Sequence, residues 1–576
     1  MEPKHTIVTS ALPYVNNVPH LGNVVGCVLS ADVYARYLRA QGHVVTYVGG
    51  VDEYGTATEM KARELGVSCK DLCDTNYALH KKIYDWFGIS FDAYGRTSQP
   101  NGDPSKVDKS WGHTRITHDI YKKLVSQDCI VELEETVWYC DQISTFVADR
   151  YILSTCYHCG SDKADGDQCD SCGQLLDTAK LQNARYKPNP EFALRQVQTT
   201  NLYLDLPKVW SEYDLDGWYQ KNSQKWTVSA KAITDSWLEK GLQARSISRD
   251  LKWGTRVPDT EKFGSKYSDK VFYVWFDAPI GYLSIIDQIP NNDWLMLSSA
   301  DDNHEVVQFM AKDNVPFHSI IFPCTLAPIK NSGKEEQCYS LPNVSIVSTE
   351  YLMYEGTKFS KSKGTGLFCD DVIRMSEEHD LDPDLWRAYL IFIRPETADS
   401  NFVLNKEGFV DFVNNIIIHN LGNMTHRIRN ILFQYAKKHG EIPNRYEIGD
   451  TTKHTQITEA SDQIDEYTEL HHDMMKKYKL KDALKTLFEI SGVCNTLINQ
   501  VEPWLYAKKD AVSDEFLHFA NTVYAKIQQL GRLLTPFMPN IGSRITTDFE
   551  YSDGSVACPT TRPKAMFKPL EYLKVE

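Results

Sequence analysis

The spacing of apolar residues near the start of the chain predicts a strand, a helix and a second strand. Residues 5–10 form a short apolar run that is typical of a buried strand. Residues 21–41 carry apolar side chains at helical spacing, and residues 44–48 are a β-branched run that ends at Gly49 and Gly50. Because one helix joins two strands of this length, we expect a parallel βαβ unit.

A second group of apolar runs predicts that this unit is only one half of a domain. The runs lie near residues 270–325, at 271–275, 293–297 and 319–322. A stretch rich in Cys, Gly, Asp and other polar residues, about 116–230, separates the two groups. The simplest architecture is a nucleotide-binding α/β domain with a parallel sheet, split by an insertion.

After residue 401 the pattern changes to long helical periodicity. Apolar residues recur along one helical face, at Phe409, Phe412, Val413, Ile416, Leu421, Met424, Ile428 and Ile431. Further helices are expected near residues 456–478, 482–501 and 513–535. This part of the chain is therefore expected to fold as an α-helical bundle.

The composition favours a globular protein. Hydrophobic residues make up 42% and charged residues 24% of the 576 residues, which is an ordinary globular balance. No apolar run reaches the ~20 residues that span a bilayer, and the first residues do not resemble a signal peptide. We therefore expect a cytoplasmic protein without a membrane segment.

The net charge of −15 argues against binding nucleic acid mainly by phosphate neutralisation. The acidic excess lies before residue 401, where 41 Lys and Arg accompany 55 Asp and Glu. The remaining residues are nearly balanced, at 21 against 22. A nucleic acid is thus expected to use local basic patches, above all in the helical part.

Four of the 14 cysteines predict a metal site. Cys156, Cys159, Cys169 and Cys172 form two CxxC pairs with nine residues between them. Two such pairs suit a closed, structural, tetrahedral Zn²⁺ site, and the alternative is four incidental thiols. The other ten cysteines are scattered, which favours reduced thiols over disulfides.

Two short motifs predict a nucleotide site. Residues 19–23 read PHLGN where a strand's loop meets a helix start, a place where ligands bind and free N–H groups attract phosphate. His20 can donate to phosphate oxygens there, and Gly22 lets ATP approach the backbone. Residues 358–362 read KFSKS between glycines and suit a loop that closes over a polyphosphate. Taken singly, the motifs are also compatible with an ordinary helix start and a solvated loop.

Together these motifs resemble the HIGH and KMSKS signatures of class I aminoacyl-tRNA synthetases, and residues 248–254 (SRDLKWG) resemble a third segment of that class. Residues 11–23, 52–56, 274–282 and 312–318 are similar to the eukaryotic cytosolic type of methionyl-tRNA synthetase. The resemblance covers essentially the whole chain. It implies a Rossmann-type catalytic domain split by a zinc-binding insertion, followed by an α-helical anticodon-binding bundle.

The resemblance also implies roles for individual residues. The catalytic residues would be His20, Asn23, Lys358 and Lys361. The ATP site would comprise Pro19, His20, Gly22, Asn23, Lys358, Ser360, Lys361 and Ser362. The methionine site would comprise Leu12, Tyr14, Asp52, Trp275, Ala278, Pro279, Tyr282, Phe317 and His318. Aromatic walls suit a thioether; Asp52 would hold the substrate ammonium, and the Tyr282 hydroxyl is expected to touch the sulfur as a weak donor.

The same resemblance implies anticodon recognition by the bundle. Asn423 and Arg427 are four residues apart, hence on one helix face. Pro503 is expected to end the preceding helix, because it pushes Glu502 out of the right-handed helical region. Trp504 would stack on the first anticodon base. By spacing alone, Arg427 is also compatible with a solvated side chain and Trp504 with a core position.

The chain departs from the family's pattern at three positions. Asn23 replaces the second His of HIGH, as in the eukaryotic type, Phe359 replaces the Met of KMSKS, and Val51 replaces the Thr expected before Asp52. Relatives often carry a second zinc knuckle. Cys140 is its sole candidate remnant here, so one Zn²⁺ is expected.

The implied reaction has two steps. ATP and L-methionine form methionyl-adenylate and diphosphate, with Mg²⁺ on the pyrophosphate, and the methionyl group is then transferred to the 3′ end of tRNA(Met) with a CAU anticodon. A monomer is expected, because no appended tRNA-binding or dimerising domain is visible. The implied parts follow in chain order. Residues 1–115 and 231–345 are the two halves of the catalytic domain, and residues 116–230 are the insertion between them. Residues 346–400 are a stem-contact domain with the KFSKS loop, and residues 401–576 are the anticodon domain.

Three alternatives to a methionine enzyme have distinguishing features. A synthetase for Leu, Ile or Val would carry a far longer editing insertion than residues 116–230 provide. A synthetase-derived tRNA-binding or regulatory protein usually loses HIGH or KMSKS residues, and both motifs are intact here. A bare zinc-ribbon nucleic-acid binder would not need the ATP motifs. ATP–pyrophosphate exchange driven only by methionine would distinguish a methionine enzyme from all three alternatives.

Overall fold

The structure is a computed structural model that describes most of the chain. The described residues are 5–98, 111–147, 151–162, 164–165, 176, 180–289, 304–330, 341–359, 365–444, 446–449, 451–506, 509, 511–549, 551–552, 555–556 and 558–573. The expected run 293–297 and five predicted site residues lie outside them; these residues are Cys169, Cys172, Ser360, Lys361 and Ser362.

The centre of the fold is a five-stranded parallel sheet, which confirms the expected α/β core. Its strands are β1 (His5–Ser10), β2 (Val44–Val51), β3 (Ala93–Arg96), β4 (His304–Ala311) and β5 (Val344–Thr349). The spatial order is β5-β4-β1-β2-β3, and neighbours run parallel. The chain moves outward from β1 in one direction and from β4 in the other. The carboxyl ends of β1 and β4 therefore flank a topological switch point, where α/β proteins bind ligands.

Glycines continue β2 instead of ending it, contrary to the sequence-based expectation. A Cβ added to Gly49 would lie 2.0 Å from the ring of Phe91, and one added to Gly50 would lie 2.6 Å from the carbonyl oxygen of Gly95. Neighbouring groups approach the strand too closely for a side chain. These glycines allow neighbouring groups to pack closely against the strand, and they do not mark its end.

The apolar runs of the second half of the domain adopt different structures. Within the run 271–275 only Val271–Phe272 is a strand, because the helix Val274–Ile286 begins directly after it. The run 319–322 is helical. The strand β4 lies outside these apolar runs. Short apolar runs fit a buried helix as well as a strand, so periodicity could not separate the two.

Helices cover the sheet on both faces. The helical segment between β1 and β2 contains a π-helical turn, Val24–Val28, inside the predicted 21–41 helix. The helices of the α/β part are Leu21–Asn23, Val24–Val28, Leu29–Ala40, Thr56–Leu65, Cys69–Trp86, Val274–Ile286, Lys312–Asn314, Phe317–Ile321 and Phe322–Lys330.

Between β3 and β4 the chain forms a separate antiparallel layer. Its main sheet has the strand order Arg245–Ser246, Arg195–Leu204, Ile130–Cys140, Thr145–Val147. A smaller sheet has the order Ala164–Asp165, Ile152–Thr155, Gln182–Tyr186, and Ser248–Arg249 pairs with Val271–Phe272. The accompanying helices are Gly112–Ser126, Leu206–Glu212, Leu215–Asn222, Ser223–Lys225 and Val228–Glu239.

The C-terminal part is helical, as the periodicity predicts. Strands Leu352–Tyr354 and Ser400–Phe402 and helices Cys369–His379 and Pro383–Phe392 connect it to the sheet. Its helices are Phe409–Phe412, Val413–Gly422, Asn423–His439, Thr452–Lys476, Leu480–Val501, Pro503–Leu505, Asp514–Leu534 and Pro539–Asp548, with short strands at Ile442–Pro443, Tyr551–Ser552 and Ser555–Val556. None of the helices in the described ranges is long and apolar enough to cross a membrane.

The helix before Pro503 ends as expected. Glu502 has φ 53° and ψ 51°, which lies in the left-handed region and therefore outside the right-handed helical one. Left-handed residues commonly close helices. The break therefore combines a left-handed cap with the proline that follows it.

Arg387 connects the helical bundle to the α/β part by hydrogen bonds. Its buried guanidinium donates to the Asp32 carboxylate at 2.7 Å and to the carbonyl oxygens of Phe87, Pro536 and Phe537 at 2.9–3.0 Å. Asp32 lies on the helical segment that follows β1. One well-satisfied buried charge thus fixes the bundle against that segment.

Candidate active site

A cavity of about 500 Å³ opens between the carboxyl ends of β1 and β4. The predicted residues Leu12, Tyr14, Pro19, His20, Gly22 and Asn23 line it. Sequence reasoning assigned no role to other lining residues, among them His80, Tyr84, Asp313, Tyr351 and Phe368. The cavity therefore lies at the switch point and contains the first motif.

His20 caps the helical segment that follows β1. Its Nδ1 accepts from the Asn23 main-chain N–H at 3.3 Å, and Asn23 Oδ1 accepts from the His20 N–H at 3.1 Å. Because Nδ1 is an acceptor, the neutral imidazole carries its proton on Nε2. His20 is thus prepared as a hydrogen-bond donor. The cap uses the Asn23 oxygen and leaves its NH₂ group as the donor for a ligand.

Two aromatic rings cover the imidazole of His20. Phe359 stacks on it with centroids 4.5 Å apart and an interplanar angle of 8°, and Phe368 meets it edge-on at 6.3 Å. Burial lowers the pKa of His20 to about 4, so the ring is neutral at neutral pH. A Cβ added to Gly22 would lie 3.0 Å from this ring. The glycine is therefore required by His20 itself.

Lys358, the first lysine of KFSKS, lies beside the cavity. Its ammonium is 5.1 Å from the centroid of Tyr351, and the ammonium of Lys312 is 4.2 Å from the same ring. The Tyr351 hydroxyl donates to both carboxylate oxygens of Asp313, at 2.6 and 2.7 Å. A fixed aromatic platform thus holds the lysine by a cation–π contact.

An aromatic surface is open to a ligand next to this cavity. Trp275 packs on Phe317 with centroids 4.5 Å apart, and its indole N–H donates to the Tyr14 hydroxyl at 3.1 Å. Trp275 and Tyr14 remain 41% and 39% exposed. Three predicted methionine residues therefore form one accessible apolar surface of the kind that lines small-molecule sites.

Asp52 is a buried carboxylate whose main chain is paired with the segment after β1. Its N–H donates to the Pro13 carbonyl at 2.9 Å, and its carbonyl accepts from Val15 at 3.3 Å. The residue is 4% exposed, and Oδ1 has no hydrogen-bond partner among the described residues. Burial, followed by the charges of Asp277 and Glu53, raises the pKa of Asp52 well above its usual value. A bound cation would offset both effects.

Tyr282 and His318 form a buried hydrogen-bonded pair. His318 Nδ1 donates to the Asn314 carbonyl at 2.9 Å, so its Nε2 accepts from the Tyr282 hydroxyl at 2.9 Å. Burial lowers the pKa of His318 to about 4, which keeps the ring neutral. In this arrangement the Tyr282 hydroxyl directs its one proton to His318.

The remaining predicted methionine residues lie on or against the helix Val274–Ile286. A Cβ added to Gly281 would lie 2.8 Å from the Leu12 side chain, so Leu12 packs directly on this helix. Ala278 packs against a small apolar cluster that contains Tyr54, and Pro279 is buried within the helix. The structure thus brings all nine residues to one region of the fold.

The third family segment braces the segment that carries Asp52. The Trp253 indole donates to the Glu53 carbonyl at 2.6 Å, and its ring packs edge-on against Tyr54 at 5.4 Å. The Glu53 carboxylate in turn accepts from Arg96 Nε at 2.9 Å. These contacts fix the two residues that follow Asp52 in the chain and so support its position. The spacing of the SRDLKWG segment could not indicate this supporting role.

The first CxxC pair forms a tight turn. The His158 N–H lies 3.4 Å from Cys156 Sγ, and Cys156 is buried whereas Cys159 is exposed. Cys169 and Cys172 are outside the described ranges, and within those ranges no three metal-ligating side chains come together. The described pair fits one half of a zinc knuckle.

The predicted anticodon residues face a second polar pair in the bundle. Asn423 Nδ2 lies 3.4 Å from Asn495 Oδ1, and Arg427 donates to Asn499 Oδ1 at 2.6 Å. Asn495 and Asn499 were not predicted, although their spacing of four residues places them on one helix face. Trp504 lies in the turn Pro503–Leu505, partly packed against the core.

Comparison with known proteins identifies the family. The family described as tRNA synthetases class I (M) matches residues 6–429. The chain belongs to the class I tRNA synthetase family. The chain is 38% identical to the cytoplasmic methionine–tRNA ligase of Caenorhabditis elegans, over 94% of this chain and 55% of the relative.

Two further curated relatives show the same level of similarity. The chain is 38% identical to the probable cytoplasmic methionine–tRNA ligase of Dictyostelium discoideum, over 94% of this chain and 68% of the relative. The cytoplasmic methionine–tRNA ligase of Homo sapiens is also 38% identical, over 95% and 57%. The chain spans 55–68% of the length of these three relatives.

Solved structures share the fold of this chain at lower identity. The Mycobacterium tuberculosis methionyl-tRNA synthetase in complex with methionyl-adenylate superposes with a TM-score of 0.68 at 20% identity, covering 94% of this chain and 93% of that one. A second structure of that enzyme, bound by methionyl-adenylate, gives 0.71 at 19% identity, covering 98% and 100%. Both matches support the class I architecture.

Proposed function

We propose that this chain is a methionyl-tRNA synthetase, which activates L-methionine with ATP and transfers it to tRNA(Met). The observation that carries the proposal is the buried Asp52 carboxylate, with Oδ1 lacking a partner among the described residues, in the region of the open Trp275–Phe317 surface. A cation site beside an aromatic surface suits the ammonium and the thioether of methionine. The relatives named methionine–tRNA ligase support the same substrate.

Methionine binding uses charge at one end and apolar contact at the other. Asp52 accepts the ammonium, and the rings of Tyr14, Trp275 and Phe317 pack against the thioether. Leu12, Ala278 and Pro279 complete the apolar wall, while the Tyr282–His318 pair closes the pocket without a net charge. Sulfur–aromatic contacts contribute about 0.3–1.5 kcal/mol each.

Adenylate formation relies on donors around the phosphates. The methionine carboxylate attacks the α-phosphorus of ATP, and pyrophosphate leaves. His20 Nε2–H and the Asn23 amide donate to phosphate oxygens at the helix start, supported by Pro19 and Gly22 in the same loop. Lys358 and Lys361, flanked by Ser360 and Ser362, stabilise the charge on the leaving group. Mg²⁺ that accompanies ATP supplies further neutralisation.

Transfer to tRNA completes the proposed reaction. The hydroxyl of the terminal adenosine attacks the mixed anhydride, and AMP leaves. In the bundle, Asn423 and Arg427 contact base edges, and Trp504 stacks on the first base of the CAU anticodon. The balanced charge after residue 401 permits this contact despite the acidic remainder of the chain.

The proposal includes one structural Zn²⁺ in the insertion. Cys156 and Cys159 in their observed turn, with Cys169 and Cys172, provide the four thiolates that such a site requires. The metal would stiffen the insertion, residues 116–230, between the catalytic halves 1–115 and 231–345. Residues 346–400 would form the stem-contact domain and 401–576 the anticodon domain. A cytoplasmic monomer belongs to the same proposal, and the relatives named cytoplasmic support the location.

ATP–pyrophosphate exchange with each amino acid tests the proposal. Methionine alone is expected to drive exchange, and tRNA transcripts with a CAU anticodon are expected to be charged in preference to transcripts with other anticodons. Asp52→Asn serves as the inactive control for amino acid binding. Exchange driven by Leu, Ile or Val would assign a sister enzyme, and the absence of exchange with any amino acid would contradict a synthetase.

A further inference from the structure

We propose that Phe359 is the positioning residue of His20: its stacked ring fixes the direction in which the His20 Nε2–H points and keeps water from the imidazole. The inference rests on the proposed role of His20 in adenylate formation. This role is specific to the Phe that stands here in place of the usual Met of KMSKS. The contact also joins the two signature motifs directly through side chains.

Phe359 occupies a site that is shaped to receive its ring. Its centroid lies 4.5 Å from that of His20 and 5.7 Å from that of Tyr354. A Cβ added to Gly366 would lie 2.5 Å from the Phe359 ring, and Gly366 has φ +123°, a conformation that favours glycine. The ring is therefore seated between His20 and the segment that follows the KFSKS motif.

Two independent contacts define the orientation of His20. The helix cap fixes Nδ1 on the Asn23 N–H, and the stack with Phe359 fixes the plane of the ring. With one atom and one plane fixed, the opposite nitrogen, Nε2, has a set direction. A donor held in this way loses little freedom when it binds a developing charge. Phe368 meets the imidazole edge-on at 6.3 Å, so the stack with Phe359 is the contact that sets the plane of the ring.

The Phe359 ring also controls whether His20 stays neutral. Burial is the sole cause that lowers the pKa of His20, to about 4. The neighbouring segments carry titratable groups that do not contribute to the shift, namely Lys358, Tyr351, Tyr354, Asp370, Asp371 and His80. Removal of Phe359 exposes one face of the imidazole, so the pKa moves toward the ordinary value of 6.5. A protonated Nδ1 can no longer accept from Asn23, and the cap is lost.

The test compares Phe359→Ala with Phe359→Met in methionine-driven pyrophosphate exchange at different pH. Phe359→Ala is expected to lower kcat/KM for ATP by roughly tenfold, with the methionine KM within about twofold. Measured at saturating methionine, so that Asp52 stays ionised, kcat/KM for ATP should decline on the acid side near pH 6–6.5 in the variant and at a lower pH in the parent enzyme. Phe359→Met should retain most of the activity, because a thioether also packs on rings. In a His20→Asn background, Phe359→Ala should add little.

A readout independent of activity is the titration of His20 in protein with ¹³C-labelled histidine, assigned by the signal lost in His20→Asn. The His20 signal should titrate below about pH 5 in the parent and near pH 6–6.5 in Phe359→Ala. Unchanged titration, or an additive loss in the His20→Asn background, would overturn the inference and make Phe359 a packing residue. Failure of the proposed function looks different, because the parent enzyme itself would then show no methionine-driven exchange.

Discussion

The hydroxyl of Tyr282 donates to Nε2 of His318 across 2.9 Å, and His318 in turn donates to the Asn314 carbonyl. The pair links the helix Val274–Ile286, which carries Tyr282, to the segment after β4. Both side chains are uncharged at this wall of the proposed methionine pocket.

Tyr282→Phe tests the role of this pair. The substitution leaves His318 Nε2 as a buried acceptor without its donor, a loss worth about 1–3 kcal/mol. Methionine KM in pyrophosphate exchange is expected to rise roughly tenfold, with little change in the KM for ATP. Tyr389→Phe, which removes a hydroxyl bonded to the Val403 carbonyl at 3.2 Å, is the matched control. Parallel changes in both KM values would argue for general loosening of the site.

Asp52→Asn tests the proposed ammonium site. A hydrogen bond to a charged group contributes about 1.5–3 kcal/mol, so methionine binding is expected to weaken by at least tenfold. The raised pKa of Asp52 means that binding to the parent enzyme weakens as pH falls through that value, because the ammonium requires the carboxylate. Calorimetric titration of methionine at several pH values measures both effects. A variant that keeps the parent's pH dependence would show that another group binds the ammonium.

The same substitution is expected to stabilise the ligand-free protein at neutral pH. Because the pKa of Asp52 is raised in the fold, the contribution of this group to stability is complete below the unfolded value near 3.8 and is lost as pH rises through the folded value. An Asn at this position does not ionise, so it avoids the cost of a buried carboxylate at neutral pH. The thermal midpoint of Asp52→Asn should exceed that of the parent near pH 7.5, and the gain should shrink toward acidic pH. A lower midpoint at pH 7.5 would mean that the carboxylate is a structural anchor.

Metal analysis tests the zinc site. We expect roughly one Zn²⁺ per chain, falling sharply in Cys156→Ser and Cys169→Ser. Cys558→Ser, which removes a half-buried thiol in the C-terminal part, should retain the metal. Loss of metal should lower transfer to tRNA more than amino acid activation, because the insertion supports the tRNA step. Metal-free protein with full charging activity would contradict the site.

Trp504→Ala tests the anticodon surface. Loss of base stacking is worth about 1–3 kcal/mol, so kcat/KM for tRNA(Met) is expected to fall by roughly 5–150-fold. Pyrophosphate exchange without tRNA should not change. Leu505→Ala, in the same turn and 44% exposed, removes apolar surface without a stacking ring and is the control. If exchange fell as much as charging, Trp504 would be a packing residue of the bundle.

Local pattern was sufficient for some elements and insufficient for others. The helices after residue 401 matched their predicted positions, because one apolar face repeated over many turns. In the α/β part, the apolar run 319–322 is helical, and the strand β4 lies outside the runs that the sequence indicated. Both segments are largely buried, so neither shows a clear polar face from which a period can be recognised.

The sequence by itself determined the motifs, the family resemblance, the α/β core and the helical bundle, because these follow from residue order and from repeating apolar positions. Only the tertiary structure decided how the motifs meet. It stacks Phe359 on His20, gives the Tyr282 proton to His318, and leaves Asp52 Oδ1 without a partner among the described residues. Each of these facts depends on side chains that are far apart in the sequence, and folding alone sets their distance and orientation.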